Sequence, residues 1–403
     1  MVVKISQKRL SNVPRNIVKW LPAIIVPAVV VAGVIVLPLQ AGAVGSLPDR
    51  SAKQLFLMVA NSAGTDFSGT VTSTSNLGLP AVSLSTGMSQ SMIDSMSASV
   101  PKGMEDFVPK GASSGVLTGA LGLLGGSHTA QIFVDSSKSA GDTQKVRIQI
   151  KDTLAERNVV SNGVDAWSYD SQTNTATHAA IPGGAAAALS QKFAGIDAAL
   201  GVNLSDPSAV AKELLERVGP STTVSVGTDR TVAGRPAYEL VLTPKSTTTL
   251  VASVSINVDA ETGLPLRVTV LASGQEDPAL QVGFTAVKFA TPDASLFNFT
   301  PPAGATVVEQ KLPHDTASDS NQTLSSLIAE IPTVTGTGWD SIAEIAATSV
   351  PQELASNALV AQIATKVSGG RALSTSLVNV FIATDGRVFV GAVPLAQLQN
   401  AAK

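Results

Sequence analysis

Alternating apolar and polar residues mark three consecutive strands between positions 230 and 271. The apolar positions, strand by strand, are Tyr238, Leu240 and Leu242, then Val254, Ile256 and Val258, then Leu266, Val268 and Val270. Period-two alternation is typical of antiparallel strands that bury one face of a sheet. Segments 243–246 and 259–263 carry the Pro, Asp and Gly of chain-reversing turns. The three strands therefore predict one continuous apolar sheet face.

The same alternation recurs earlier in the chain. Apolar residues alternate at Ala130, Ile132 and Val134, and again at Val146, Ile148 and Ile150, where charged and amide residues fill the positions between them. The pair Asn162–Gly163 predicts a hairpin turn that leads into a strand with Trp167 and Tyr169 on one face. These two aromatic residues either bind a ligand or fill the core of the sheet. Segments 66–71 and 281–289 predict two further strands.

Three segments predict helices that cover one face of this sheet. A helix starting at 47–49 places Ala52, Leu55, Phe56 and Val59 on one face, segment 181–204 is rich in alanine, and segment 206–218 has Asp206 as its N-cap and Gly219 as its end. Between the first two strand regions, residues 81–126 are rich in Ser, Gly and Met. Met88, Met92 and Met96 follow a helical spacing, which favours either a packed helix or a mobile lid.

The C-terminal part follows a polar linker. We expect the linker at 313–323, then a mixed helical region that begins at Trp339, and a final hairpin whose strands, 377–382 and 388–393, flank an Asp385–Gly386 turn. These two strands are apolar on both faces, so they are expected to be buried or paired at the sheet.

The N-terminus carries an export signal. Basic residues occur throughout 1–19, and the apolar run at 20–39 has about the length that spans a bilayer. Ala41–Gly42–Ala43 also fits a signal-peptide cleavage site, so both an uncleaved anchor and a cleaved signal remain open. In either case the rest of the chain is expected outside the cell membrane, single-pass if anchored and secreted if cleaved.

Composition and motifs exclude several classes of function. A net charge of −3 with 4% aromatic residues does not favour nucleic-acid binding, and the absence of cysteine excludes disulfides and thiolate metal sites. A G-x-S-x-G match at 111–115 lacks the strand and helix that a hydrolase nucleophile needs. His128, His178 and His314 lack the spacing of a metal pair. We therefore expect no enzyme activity, metal or cofactor. Arg235, before Pro236, is expected to make a salt bridge across a turn rather than to gate a cavity.

Five phrases carry a resemblance to a known superfamily. They are LGGSHTA at 124–130, NG through WSYD at 162–170, VAGRPAY at 232–238, TGLPL at 262–266 and FTPPAGA at 299–305. In this order they resemble the LolA-like superfamily of outer-membrane lipoprotein carriers and sigma-E regulatory proteins, in its actinobacterial branch. The resemblance implies a half-open antiparallel β-barrel whose concave apolar face is capped by helices and takes up acyl chains. The chain departs from it by the insertion at 81–126, by the lack of a lipid-anchor cysteine, and by the region after His314.

The predicted fold is an α+β, half-open antiparallel β-barrel or curved sheet, capped by helices and preceded by a transmembrane or signal helix. The expected divisions are a basic cytoplasmic N-terminus at 1–19, the anchor or signal at 20–45, a carrier-like domain at 46–312 with a helical lid and the insertion at 81–126, the linker at 313–323, and C-terminal helices and a hairpin packed on the sheet at 324–403.

The leading hypothesis is a membrane-tethered carrier that buries a lipid or the acyl chains of a lipoprotein, with a membrane transporter as a further partner. The candidate cavity lining is Val146, Ile148, Ile150, Trp167, Tyr169, Tyr238, Leu240, Leu242, Val254, Ile256, Val258, Leu266, Val268 and Val270. One alternative is an envelope-stress signalling module that binds a membrane anti-sigma factor. Another is a structural surface protein whose core is filled by its own side chains, since alternation looks the same in an open and a filled sheet.

Overall fold

The structure is a computed structural model that describes residues 47–78, 126–136, 144–152, 155–181, 219–310, 333–349 and 364–403. These residues form two β-sheets and two α-helices. The strands of the first sheet are β1 (Phe67–Ser75), β2 (Gly126–Asp135), β3 (Lys145–Asp152), β4 (Ala155–Ser161), β5 (Asp165–Asp170), β6 (Thr175–Ala180), β7 (Thr222–Val226), β8 (Arg230–Val232), β9 (Arg235–Pro244), β10 (Val251–Asp259), β11 (Pro265–Ala272), β12 (Leu280–Lys288) and β13 (Thr306–Gln310).

The first sheet is open and mostly antiparallel. Its strand order is β13-β6-β5-β4-β3-β2-β1-β12-β11-β10-β9-β7, with β8 also paired to β9. The one parallel pair among these described strands joins β13 to β6. An open, curved, mainly antiparallel sheet agrees with the predicted half-barrel. The predicted N-terminal helix, the helices at 181–204 and 206–218 and nearly all of the insertion at 81–126 lie outside the described residues.

Helix α1 (Ala52–Asn61) covers part of this sheet. Its cap is Ser51, whose hydroxyl accepts a hydrogen bond from the backbone N–H of Gln54 while the Gln54 side chain accepts one from the Ser51 N–H. The helix therefore begins at Ala52, slightly later than the sequence suggested, because Ser51 and Gln54 form a capping box. Leu55 is fully buried against the sheet.

The turn beneath the end of α1 depends on a glycine. Gly263 has φ +76°, and a Cβ at this position would lie 2.3 Å from the carbonyl oxygen of Met58. Glycine both adopts the left-handed conformation without strain and leaves room for the helix. The predicted turn at 259–263 therefore approaches the backbone of α1 closely.

The second sheet is built from the C-terminal region. Its strands are β14 (Thr333–Thr335), β15 (Ile342–Ile345), β16 (Thr365–Val367), β17 (Gly370–Ser374), β18 (Asn379–Ala383) and β19 (Val388–Gly391), in the order β14-β15-β19-β18-β17-β16. Helix α2 (Leu395–Ala401) packs on it, and Phe381, Phe389 and Leu398 form the core. The predicted hairpin is confirmed as β18 and β19.

The region after Trp339 differs from the expected mixed helical structure. Trp339 lies in a single 3-10 turn, Gly338–Asp340, and the chain then enters strand β15. Pairing of Ile342–Ile345 with β19 decides the conformation here, because tertiary pairing outweighs the local pattern. Residues 350–363, where more of that helical region was expected, lie outside the described part, and the predicted domain boundaries remain a prediction.

The two sheets are joined through the apolar face of the first. Trp339 and Leu377 from the C-terminal region belong to the same buried cluster as the strands β9 to β12. The indole Nε1 of Trp339 donates to the hydroxyl of Thr222 at 2.8 Å, and the backbone N–H of Leu250 donates to the carbonyl of Ala392 at 2.8 Å. The C-terminal sheet therefore covers part of the surface that α1 leaves free.

Helices long and apolar enough to cross a membrane are absent from the described residues, which begin at Leu47. The apolar run at 20–39 precedes them.

Candidate functional site

Most of the predicted lining in β9, β10 and β11 is packed core. Tyr238, Leu240, Leu242, Val254, Val258, Leu266, Val268 and Val270 are all less than a tenth exposed, and Ile256 is half-buried against the same cluster. Most of these side chains pack with Leu55 of α1 and with Trp339 and Leu377, whereas Leu266 packs in a smaller cluster with Val232 and Ala237. The hydroxyl of Tyr238 donates to the carbonyl of Pro48 at 3.0 Å. In this half of the sheet the chain's own side chains fill the apolar face.

The registers of the paired strands show which residues of the other strands lie on the same sheet face as this packed cluster. Val282, in the packed cluster, pairs with Ser73 of β1, and two residues farther on Phe284 pairs with Val71. The register shifts between Val71 and Thr70, but the ring of Phe67 lies 5.7 Å from that of Phe284, so Phe67 lies on the same face. Phe67 pairs with Val134, which pairs with Val146 of β3. The predicted residues Val146, Ile148 and Ile150 therefore share the face that α1 covers farther along.

Trp167 and Tyr169 lie on the opposite face. Val146 pairs with Ser161, and Ser161 pairs with Ala166, so the residue after Ala166 points the other way. There the Trp167 ring lies 5.5 Å from Phe299 and the Tyr169 ring 6.0 Å from it, measured between centroids. The register does not bring these aromatic residues together with the β3 residues, so the predicted lining divides between two faces. Their contacts agree with a packing role rather than with a shared cavity.

What remains of the predicted lining is Val146, Ile148 and Ile150. With two neighbours that were not predicted as lining, Ile132 and Val159, they form a partly exposed group that we call the apolar stripe. Ile132 pairs with Ile148, and Ile148 pairs with Val159, so the three side chains stand in a row across β2, β3 and β4. Val159 is 51% exposed, and the other members are half-buried. Sequence reasoning missed Val159 because its neighbour Val160 is also apolar, which hides the alternation in β4.

A charged cluster occupies the edge of the sheet. His178 of β6 lies between two carboxylates, with Nδ1 2.8 Å from an oxygen of Glu309 and Nε2 2.8 Å from an oxygen of Asp165. Its ring stacks on Trp167 at 4.2 Å between centroids. Burial acts to lower the pKa of His178, but the hydrogen bonds and negative charges of Asp165 and Glu309 outweigh it, so the pKa is raised above its ordinary 6.5.

This cluster predicts a pH-dependent contribution to stability. Because the pKa of His178 is raised in the folded protein, its stabilising effect is fully present below the unfolded value of 6.5 and is lost as the pH rises through the folded pKa. We expect the difference in free energy of unfolding between wild type and His178→Gln to shrink with rising pH, measured by urea denaturation from about pH 5 to about pH 9.

Asp165→Asn and Glu309→Gln check the assignment, because each removes one of the two carboxylates and should reduce this pH dependence. A difference for His178→Gln that is flat across the pH range would contradict the assignment of the two carboxylates as its partners.

The other candidates for chemistry give no site. Groups of His, Asp and Glu arranged to hold a metal ion are absent from the described residues. His314 and the G-x-S-x-G segment at 111–115 lie outside them. Arg235 makes the predicted salt bridge across a turn, to Asp259 and Glu261, and does not line the apolar stripe.

The chain is similar to several solved structures. One is a chain in the complex structure of Pseudomonas aeruginosa MucA/MucB, with 15% identity, coverage of 87% of this chain and 96% of that one, and a TM-score of 0.43. Another is a crystal structure of MucB, with 16% identity, coverage of 87% and 96%, and a TM-score of 0.39. A third is a LolA superfamily protein from Nitrosomonas europaea, with 8% identity, coverage of 62% and 99%, and a TM-score of 0.20.

No family model matches the chain. No curated protein matches it either. One of these similar structures is a LolA superfamily protein, the superfamily that the sequence phrases resemble. Membership of this chain in that superfamily, and in its actinobacterial branch, remains a prediction. Because these TM-scores are below 0.5, the strand order and registers of this chain remain the basis of its fold description.

Proposed function

We propose that the protein is an exported, membrane-tethered binder of hydrophobic ligands that holds an acyl chain of a lipid or lipoprotein on the apolar stripe. The observation that carries this proposal is the contrast along one sheet face. Between β9 and β12 the face is packed by α1 and the second sheet, whereas in β2 to β4 Ile132, Ile148 and Val159 stay partly exposed. A row of partly exposed aliphatic side chains, on the face that α1 covers elsewhere, is a surface that an apolar ligand can cover.

The dimensions of the stripe suit an acyl chain. From Val146 to Ile150 it runs about 13 Å along the strand, and from β2 to β4 it is about 10 Å wide. Each methylene group removed from water contributes about 0.8 kcal/mol, so an acyl segment lying along the stripe gains several kcal/mol in total. The aliphatic chemistry of these residues supports a non-catalytic role.

The experiment compares two exposed valines. Val159 lies in the stripe and is 51% exposed, and Val164 lies in the turn before β5 and is 58% exposed. Because both are exposed, Val159→Asp and Val164→Asp should each leave the fold intact. We expect Val159→Asp to weaken binding of a fluorescent fatty acid about tenfold, the effect of about 1.4 kcal/mol, and Val164→Asp to leave it unchanged. Equal affinity in both variants, or no binding by wild type, would refute the proposal.

A second candidate is an envelope-stress regulator that binds a membrane anti-sigma factor. It is favoured by the second sheet, because Trp339 and Leu377 occupy apolar surface that a carrier needs free for its cargo. Crosslinking in membranes separates the two candidates. A single dominant membrane-protein partner, still captured by Val159→Asp, supports the regulator and opposes the carrier.

A further inference from the structure

Arg267 lies on the face of the first sheet opposite the one that holds Val268, Val282 and the apolar stripe. A row of cross-strand partners runs from Glu239 of β9 through Asn257 of β10 and Arg267 of β11 to Gly283 of β12. A Cβ at position 283 would lie 2.8 Å from the Cβ of Arg267 and 2.9 Å from its Cγ. Glycine at 283 therefore leaves space for the stem of Arg267 to lie across the neighbouring strand.

Arg267 has no counter-ion among the described residues. Its guanidinium makes no hydrogen bond or ion pair there, and the enclosed Nε is without a partner. By contrast, Arg235 binds Asp259 and Arg230 binds Glu239, each through Nε. Only Nε of the Arg267 guanidinium is among the enclosed, unpaired atoms, so its two terminal nitrogens remain accessible.

The residue beside Arg267 also presents an unpaired donor. Asn257 is 2% exposed, and its Nδ2 is enclosed without a hydrogen-bond partner. An unsatisfied buried donor costs about 1 to 3 kcal/mol. Directly paired residues on one sheet face have Cβ atoms about 5 Å apart, so these donors stand side by side. Nδ2 of Asn257 is enclosed, so it stands beside the half-buried Arg267 without itself facing solvent.

The charged side chains around Arg267 give this part of the sheet a net positive charge. Arg230 of β8 is close enough to lower the pKa of Arg267 further, after the larger effect of burial. The carboxylate of Glu239 is held by Arg230 at 3.1 Å. Arg230 therefore takes up the carboxylate of Glu239, and Arg267 keeps an uncompensated charge because an arginine side chain does not lose its proton in proteins.

We propose that Arg267, with Arg230 next to it, forms a binding site for an oxyanion, the phosphate or carboxylate group of a ligand. A guanidinium offers a planar pair of N–H donors that matches two oxygens of such a group, and a bidentate pair is stronger than a hydrogen bond between neutral groups. The site lies on the face opposite the apolar stripe, so it does not depend on acyl-chain binding.

The test uses inorganic phosphate at constant ionic strength. Arg267→Met keeps the apolar stem over Gly283 and removes the charge, and Arg371→Met, a half-buried arginine of the second sheet, is the matched control. We expect wild type and Arg371→Met to show saturable phosphate binding by calorimetry, and Arg267→Met to lose it at least tenfold. Binding that is equal in all three proteins would overturn the site.

A second arm finds the source of the oxyanion. Vesicles of phosphatidylglycerol are compared with vesicles of phosphatidylcholine. Binding to the anionic vesicles that requires Arg267, without a response to free phosphate, assigns a lipid headgroup, whereas the reverse assigns a soluble ligand. If neither probe binds wild type, the site does not exist.

A further variant keeps the test decisive if Arg267→Met does not fold. Glu239→Gln removes the only carboxylate in the row of described residues and releases Arg230, so it should tighten phosphate binding several-fold. Unchanged or weaker phosphate binding by Glu239→Gln would show that Arg230 and Arg267 do not form the proposed binding site.

Discussion

Replacing Trp339 by alanine is expected to lower the free energy of unfolding by about 3 to 5 kcal/mol, the usual cost of removing a large buried aromatic side chain. Trp339 is 4% exposed and lies in the cluster formed by the first sheet and α1. Its indole also satisfies the hydroxyl of Thr222, which is itself 2% exposed. The substitution therefore opens a cavity and leaves a buried hydroxyl without its donor.

The measurement is urea denaturation followed by circular dichroism, with Trp339→Phe as the matched control. Phenylalanine keeps most of the apolar volume but not the Nε1 donor, so it should cost only about 1 to 2 kcal/mol. In wild type we expect the two sheets to unfold together in a single urea transition. In Trp339→Ala they should unfold in separate transitions, because the indole is a central contact between them. A loss of less than about 1 kcal/mol in the alanine variant would show that this contact does not hold the sheets together.

The sequence predicted the strands well because their alternation is a local property. β9 and β11 bury every second residue along most of their length, as the pattern between 230 and 271 required. The tight turns were also predictable, since Asn162 and Gly263 carry turn chemistry in their own side chains or backbone. For these strands and turns, the residues of one short segment determine the local structure, and the prediction agreed with the structure.

The face on which each strand puts its apolar residues was not predictable from the pattern. Whether Trp167 shares a face with Ile148 depends on the registers of two successive hairpins, and a change of one residue in either register exchanges the faces. The sequence likewise predicted apolar positions at Leu240 and Val270 without showing what covers them. Their cover, Trp339, is about seventy to a hundred residues away in sequence, so no local pattern connects them.

The salt bridge of Arg235 shows which features of a charged contact can be predicted from sequence. The residue type and its place beside a turn suggested a salt bridge, and the structure shows a bidentate one, with Nε and Nη2 of Arg235 bound to the two carboxylate oxygens of Asp259. The burial of the partner was not predictable: Asp259 is fully buried, although turn carboxylates are usually solvated. That burial makes the pair a sensitive point of the fold.

Replacing Arg235 by methionine is therefore expected to lower the free energy of unfolding by about 3 kcal/mol, because it leaves a buried carboxylate without its cation. Burial acts to raise the pKa of Asp259, but Arg235 and the hydrogen bonds from Thr262 outweigh it, so the pKa is lowered. The pair's stabilising effect is then present above the unfolded value of 3.8 and is lost as the pH falls through the lower folded pKa.

Denaturation of wild type and Arg235→Met should show a difference that is constant near neutral pH and shrinks in acid, where the carboxyl group becomes protonated. Arg387→Met is the matched control, because its carboxylate partners Glu344 and Asp385 are 28% and 51% exposed. We expect it to cost less than about 1 kcal/mol, as exposed ion pairs do. Equal losses in the two variants would mean that the burial of Asp259 does not set the energy of this turn, because both arginines would then act as surface charges.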